Sequence, residues 1–296
     1  VTVFVYSGPD ASPTNTNILY NVFTEALHPF GIKVKILSPG AINNPYNNWA
    51  DEGTALVVGG GQFTQMRELL TDDGVQAIKN FAARKTYLGI CKGAYAGAAQ
   101  LDFLGNNNER KSNIGFGFFN GIAKGSLPIT PNFFSGNNDS ACVALLHHEK
   151  LNCDFPALYW GGPSFILPDN PGHEYEPIVT LKMPGSDQKM TMGVRMNFDG
   201  GGKAILVGYH SEAIRDWLHK WVMSFSGGAD HDTRLKEEIS RHTPGEFYFG
   251  FAALLDEMEL VPGHSFVDQI MNPSAYDPRT FRKRTVESPA FALELL

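Results

Sequence analysis

Thr86-Tyr87-Leu88-Gly89-Ile90-Cys91-Lys92-Gly93-Ala94-Tyr95-Ala96-Gly97-Ala98-Ala99 sets one cysteine between two glycines. The run from Thr86 to Ile90 is apolar and reads as a buried strand, and the small residues from Ala94 to Ala99 read as a helix. A strand that turns sharply into a helix at a nucleophilic side chain forms a nucleophile elbow. Such a turn crowds the backbone, and Gly89 and Gly93 remove Cβ atoms that would clash there. The stretch therefore predicts an α/β fold with Cys91 raised at the end of a strand.

The flanking sequence supports the same fold class. Val1 to Tyr6 reads as a strand stopped by Ser7-Gly8-Pro9. Asn15 to Phe30 reads as a helix, because Ile18, Leu19, Val22, Phe23, Ala26 and Leu27 recur at helical spacing before Pro29 and Gly31. Ile32 to Leu37 is a second strand, alternating enough to lie near an edge. Thr54 to Val58 is a third, ending in Gly59-Gly60-Gly61, and Gln62 to Arg84 carries one or two helices. This alternation predicts a flavodoxin-like, doubly wound parallel sheet with helices on both faces. Ligands of such sheets sit at the carboxyl ends of the strands, where Gly8, Gly59-Gly60-Gly61 and Cys91 would meet.

From about residue 104 to 196 the sequence becomes rich in Asn, Gly and Phe, with short strands around Ala157–Trp160, Ile178–Lys182 and Met190–Met196. We read it as an antiparallel insertion. Lys203 to Gly208 returns as a buried strand, and Ser211 to Phe225 as a helix. The expected organisation is one domain over 1–226, with a mostly helical extension over 227–296. In that extension 233–241 and 247–259 read as helices, and Arg279, Arg282, Lys283 and Arg284 as a solvated basic face.

Composition narrows the partners. The 296 residues carry 24 basic and 31 acidic side chains, a net charge of −7, which argues against nucleic acid as the main partner. No apolar run reaches the ~18–20 residues that a membrane-spanning helix needs. The three cysteines, Cys91, Cys142 and Cys153, make neither a disulfide framework nor a Cys-x-x-Cys metal site. Cys142 and Cys153 read as small core residues. The chain opens on Val1 without a methionine, after a removed initiator or a missing targeting segment, and a cytoplasmic setting is expected while export stays open. Asn138-Asp139-Ser140 fits a glycosylation sequon at chance level. His147-His148-Glu149 and His173-Glu174 lack a second ligand pair at zinc-like spacing, so no metal and no cofactor are expected.

A thiol near pKa 8.5 is mostly protonated at neutral pH, so a nucleophilic Cys91 needs a base and a favourable field (about 8.5 for a free thiol). Of the nine histidines, only His210 follows directly on a predicted strand of the core sheet, and Glu212 lies two residues on. In extended backbone that spacing points both side chains the same way, so the carboxylate would orient the imidazole. Cys91, His210 and Glu212 thus suit covalent acyl chemistry. The N–H groups of Gly60 or Gly61, with that of Lys92, would hold an oxyanion. Tyr159-Trp160-Gly161-Gly162-Pro163 reads as aromatics and glycines at a strand end, with Gly8 a candidate pocket lining.

In these motifs the chain resembles the class I glutamine amidotransferase-like superfamily. More narrowly, it is similar to the amino-terminal domain of biotin–protein ligases and its stand-alone bacterial relatives. The resemblance rests on Val3 to Pro9, Val57 to Gly61, Gly89 to Tyr95, Tyr159 to Pro163 and Gly208-Tyr209-His210-Ser211-Glu212, and covers about residues 1–226. It implies a Cys-His-Glu triad at Cys91, His210 and Glu212. It does not imply biotin ligation, because no Gly-Arg-Gly-Arg-like adenylate-binding segment occurs. Two residues depart from the pattern: Ser211 stands where amidotransferases of this class carry proline, and Lys92 where a small or polar residue is usual. A cation at 92 would stabilise a thiolate, bind an anionic substrate or crowd out glutamine.

Three functions fit the sequence. The first is a thiol-dependent hydrolase or amidotransferase acting on a small amide or ester, with a separate protein partner if it is a glutaminase. The second is a catalytically inactive small-molecule-binding or regulatory module on the same fold. The third is a redox- or electrophile-sensing cysteine.

Overall fold

Burial on both faces explains why the first strand carries no polar alternation. In a computed structural model, β1 (Thr2–Tyr6) is buried at every position, as expected of a strand inside a parallel sheet. The structure describes residues 1–105, 108–129, 140–168, 175–183, 187–214, 217–218 and 229–271. The basic cluster at 279–284, His173-Glu174 and most of the sequon lie outside these residues.

Four further strands complete the parallel core: β2 (Lys33–Leu37), β3 (Gly53–Val58), β4 (Thr86–Ile90) and β13 (Lys203–Val207). Their order is β2-β1-β3-β4-β13, every pair parallel. The protein is thus α/β with a doubly wound sheet of flavodoxin-like order. β2 lies at the edge, which accounts for its exposed positions and its lysines.

The alternation of side chains along these strands divides the core in two. Val3, Val5, Val57, Leu88, Ile90, Ile205 and Val207 face one side, against Ile18, Leu19, Val22 and Phe23 of α1 (Pro13–Leu27). Phe4, Tyr6, Leu56, Val58, Tyr87 and Leu206 face the other, against Met66 of α4 (Phe63–Leu69) and Ile78 and Phe81 of α5 (Asp72–Ala82). Ser12 caps α1 and Pro13 opens it. The helix therefore starts two residues before the expected Asn15.

The segment between β4 and β13 extends the same sheet. After α6 (Lys92–Gly97), β5 begins at once at Ala98, and Gly97 packs so closely on Leu206 that an added Cβ would lie 2.3 Å from its side chain. The predicted helix to Ala99 is therefore cut short. The insertion starts nearer 98 than 104 and is mixed, since β5 (Ala98–Gly105) runs parallel to β7 (Phe119–Gly125). Its other pairings are antiparallel, including β8 (Cys142–His148) with β9 (Cys153–Tyr159) and β12 (Lys189–Asn197) with β13.

The predicted helix from 211 does not begin there: Ser211 and Glu212 form a turn, and 215–216 and 219–228 lie outside the described residues. Further on, the helix Pro244–Met258 starts with a capping box between Thr243 and Glu246. Its Phe251 meets Phe23 of α1 edge to face at 5.3 Å, so this part of the expected extension packs into the first core. No helix among the described residues is long and apolar enough to cross a membrane.

Candidate active site

Cys91 joins β4 to α6 with φ 54° and ψ −105°. Positive φ is costly for a residue with a Cβ and persists only where the surroundings impose it. The surroundings here are close-packed backbone. A Cβ on Gly93 would fall 2.0 Å from the Val58 carbonyl oxygen, and one on Gly89 would fall 2.3 Å from the Gly93 carbonyl oxygen. The Cys91 N–H donates to the Val207 carbonyl at 3.0 Å, and the Gly93 N–H donates to the Gly59 carbonyl at 3.2 Å. These bonds tie the elbow to β13 and to the glycine loop after β3.

β9 supplies the opposite wall. The Cys91 thiol donates to the Trp160 carbonyl at 3.7 Å. The Leu158 carbonyl accepts the His210 N–H at 2.8 Å, so one strand end brackets both residues. His210 and Glu212 are both buried, and the His210 Nδ1–Glu212 Oε1 distance is 2.8 Å. The backbone reason differs from the expected one. These residues sit in a turn, closed by the Ala213 N–H donating to the His210 carbonyl at 3.2 Å, rather than in extended chain. Ser211 is buried and its hydroxyl makes no hydrogen bond among the described residues.

Burial alone would drive the proton off His210. The Glu212 charge, the Cys91 charge and hydrogen bonds to both reverse that, so the imidazole pKa is raised to about 10. A protonated imidazole held between a carboxylate and a sulfur is the charge arrangement that acyl transfer to a thiol requires.

Asn15 and Asp10, both from the β1–α1 segment, complete the site. Asn15 Nδ2 donates to Glu212 Oε1 at 2.5 Å, and the Gly60 N–H donates to Asn15 Oδ1 at 2.8 Å. This corrects one expectation: Gly60 has a single N–H, and Asn15 occupies it. Gly61 has φ 143°, and a Cβ there would lie 2.1 Å from the Asp10 carbonyl oxygen, so glycine is required. The Gly61 and Lys92 N–H groups donate to no acceptor among the described residues.

Lys92 corrects a second expectation. Its side chain turns away from the cleft and is fully buried, with Nζ 2.6 Å from Asp10 Oδ2. It also lies 4.7 Å from the centroid of the Tyr6 ring, whose hydroxyl donates to Asp10 Oδ1 at 2.8 Å. Burial lowers the Lys92 pKa and Asp10 holds it up in part. The side chain is therefore paired inside the protein and does not reach the cleft to bind an anionic substrate or crowd out glutamine, while the Cys91 charge is among the influences that hold its pKa up.

The pocket candidates divide. Tyr159 is fully buried, its hydroxyl accepting from the Leu127 N–H at 2.6 Å and donating to the Gly162 carbonyl at 3.0 Å, so it supports the wall from behind. Trp160 and Gly161 are partly exposed, and Tyr95 donates to the Gly161 carbonyl at 3.0 Å. Gly162 lies so close to Gly208 that a Cβ would fall 2.2 Å from the Gly208 carbonyl oxygen, which makes it a packing position. Gly8, at the end of β1, faces Asp10 and Tyr6 and is likewise set by packing. Away from this site, the His147 Nδ1–Asp154 Oδ1 distance is 2.7 Å, while His148 is buried. No group of three metal-ligating side chains occurs among the described residues.

The family described as "Biotin-protein ligase, N terminal" matches residues 1–261. The chain belongs to this family. The match runs past residue 226 and takes in the helix that packs on α1. A relative from Chlamydia muridarum, described as an uncharacterized protein, is 31% identical over 170 residues, or 55% of this chain and 63% of the relative. The chain thus spans 63% of the length of that curated relative. Among solved structures, a ThuA-like protein from Bacteroides uniformis aligns at TM-score 0.43 and 9% identity, over 70% of this chain and 82% of that one. The glutaminase domain of CTPS from Trypanosoma brucei, solved with bound acivicin, aligns at TM-score 0.42 and 10% identity, over 86% and 93%.

Proposed function

We propose that this biotin–protein ligase N-terminal family member is a thiol-dependent hydrolase or amidotransferase acting on a small amide or ester. The observation that carries this reading is His210, bonded through Nδ1 to Glu212 and holding its proton through neutral pH beside the Cys91 sulfur. The Cys91 sulfur is the nucleophile, and His210 carries the proton that the leaving group takes. The sulfur attacks the substrate carbonyl carbon, a C–S bond forms, and the carbonyl electron pair moves onto oxygen. The Gly61 and Lys92 N–H groups are the donors for that oxyanion. His210 gives its proton to the leaving amine or alcohol as the tetrahedral species collapses to a thioester. A water, or an amine in the transferase case, then loses its proton to His210, attacks the thioester and releases Cys91. Glu212 stabilises the charged ring throughout.

The strained elbow supports this reading, since it keeps the sulfur at the carboxyl edge of the sheet at a cost to stability. Removing one oxyanion donor in comparable sites slows the reaction about 10²–10³-fold. The test is hydrolysis of an activated ester, p-nitrophenyl acetate. The wild-type protein should release a burst of nitrophenol stoichiometric with Cys91, and Cys91→Ala should show none. An equal burst from Cys91→Ala would overturn the proposal, and absence of any burst would favour the binding module.

A further inference from the structure

The β1–α1 segment reaches the reaction centre at a residue that is neither nucleophile, base nor acid. Asn15 is 1% exposed and lies in the first turn of α1. Its side-chain nitrogen donates to Glu212 at 2.5 Å, and its side-chain oxygen accepts from Gly60 at 2.8 Å. One amide group thus spans the carboxylate of the candidate triad and the glycine loop of the candidate oxyanion site. A Cβ built on Gly60 would lie 3.4 Å from His210 Cε1, so the loop and the imidazole are also in contact range.

We propose that Asn15 is a positioning residue that fastens Glu212 to the glycine loop, so that the acid and the oxyanion side of the site move as one unit. The inference rests on the hydrolase reading for its meaning in catalysis, though not for its test.

The chemistry of the two contacts supports this assignment. Glu212 Oε1 receives both the Asn15 amide and the His210 ring, whereas Oε2 is buried with no hydrogen bond among the described residues. The acid therefore depends on two donors aimed at one oxygen. Losing the Asn15 amide frees the Glu212 carboxylate to turn from His210, and a longer Glu212–His210 contact weakens the attraction that keeps the ring protonated. The groups acting on His210 are Glu212 and Cys91. The orientation of Asn15 is fixed by its partners, because Gly60 offers only a donor and Glu212, facing the His210 ring, accepts. Its backbone is held as well, the Asn15 N–H donating to the Ser12 hydroxyl at 3.3 Å.

Two variants separate the roles. Asn15→Ala removes both contacts. Asn15→Asp keeps the shape and the acceptor for Gly60 but sets a second carboxylate against Glu212, and two carboxylates sharing one site do not both ionise. The readouts are the pH profile of Cys91 alkylation by iodoacetamide, resolved from Cys142 and Cys153 by peptide mass spectrometry, and the NMR titration of His210. In Asn15→Ala the His210 midpoint should fall by about one pH unit or more, with Cys91 alkylation near neutral pH slowed about tenfold. In Asn15→Asp the alkylation profile should gain an ionisation that the wild type lacks. Wild-type profiles in both folded variants would overturn the proposal, and if Asn15→Ala does not fold, Asn15→Asp decides alone. Shifted profiles in a protein without esterase activity would uphold the positioning role and sink the hydrolase reading. Unchanged profiles in an active esterase would do the reverse.

Discussion

At the scale of the residue, the balance around His210 is the clearest electrostatic feature of the molecule. Burial acts to remove its proton and Glu212, with Cys91, acts to keep it. The sign follows from the folded pKa of about 10 lying above the ordinary 6.5. This group contributes stability that is complete below pH 6.5 and is lost as pH rises to about 10. In Glu212→Gln the largest opposing charge is gone, so the midpoint should drop toward or below 6.5 and that loss of stability should disappear. Urea unfolding across the same pH range, with an NMR titration of the ring, measures both effects. An unchanged midpoint would remove Glu212 from its role. The placement of Cys91 in an elbow and the pairing of His210 with Glu212 were legible in the sequence, because an elbow and a strand-end histidine are local patterns. Asn15 also carries a signal in the sequence. It falls at i−3 and i−4 from Ile18 and Leu19, on the apolar face of α1, where a polar residue needs a partner.

At the scale of the element, the β1–α1 segment holds the site from beneath. Asp10 binds Lys92 with its carboxylate and accepts the Gln62 N–H at 2.8 Å with its carbonyl. It thereby fixes the residue after Cys91 and the residue after Gly61 together. Both side chains of the pair are fully buried. Removing one partner from such a pair leaves an uncompensated charge and costs about 3–5 kcal/mol. Lys92→Met and Asp10→Asn should each destabilise by that order, and the double variant by less than the sum, as denaturant midpoints would show. Additive losses would mean that the two side chains act independently. The sequence revealed Lys92 as an oddity within the elbow but not its direction. That direction depends on Asp10, 82 positions away along the chain. Only folding of the parallel sheet brings the two strand ends together.

At the scale of the whole molecule, the parallel core was readable because four buried strands carry their signal in short apolar runs and the edge strand β2 alternates. The insertion was less so. Its mixed pairing, with β5 parallel to β7, arises from contacts that no local pattern encodes. The helix Pro244–Met258 shows how far the core extends. Phe251 is fully buried and meets Phe23 on α1, the helix that carries Asn15. Phe251→Ala should therefore destabilise the protein by about 3–5 kcal/mol in one cooperative transition. A separate, early transition with the parallel core intact would show that the helix folds independently.

Acylation of Cys91 is the central step of the proposed chemistry. The direct measurement is acid-quenched peptide mass spectrometry after brief exposure to p-nitrophenyl acetate at neutral pH. An acetyl thioester should form on Cys91 faster than on Cys142 or Cys153, disappear on longer incubation, and accumulate too slowly to detect in His210→Ala. Acetylation confined to surface lysines, or a Cys91 adduct formed equally fast in His210→Ala, would contradict that chemistry.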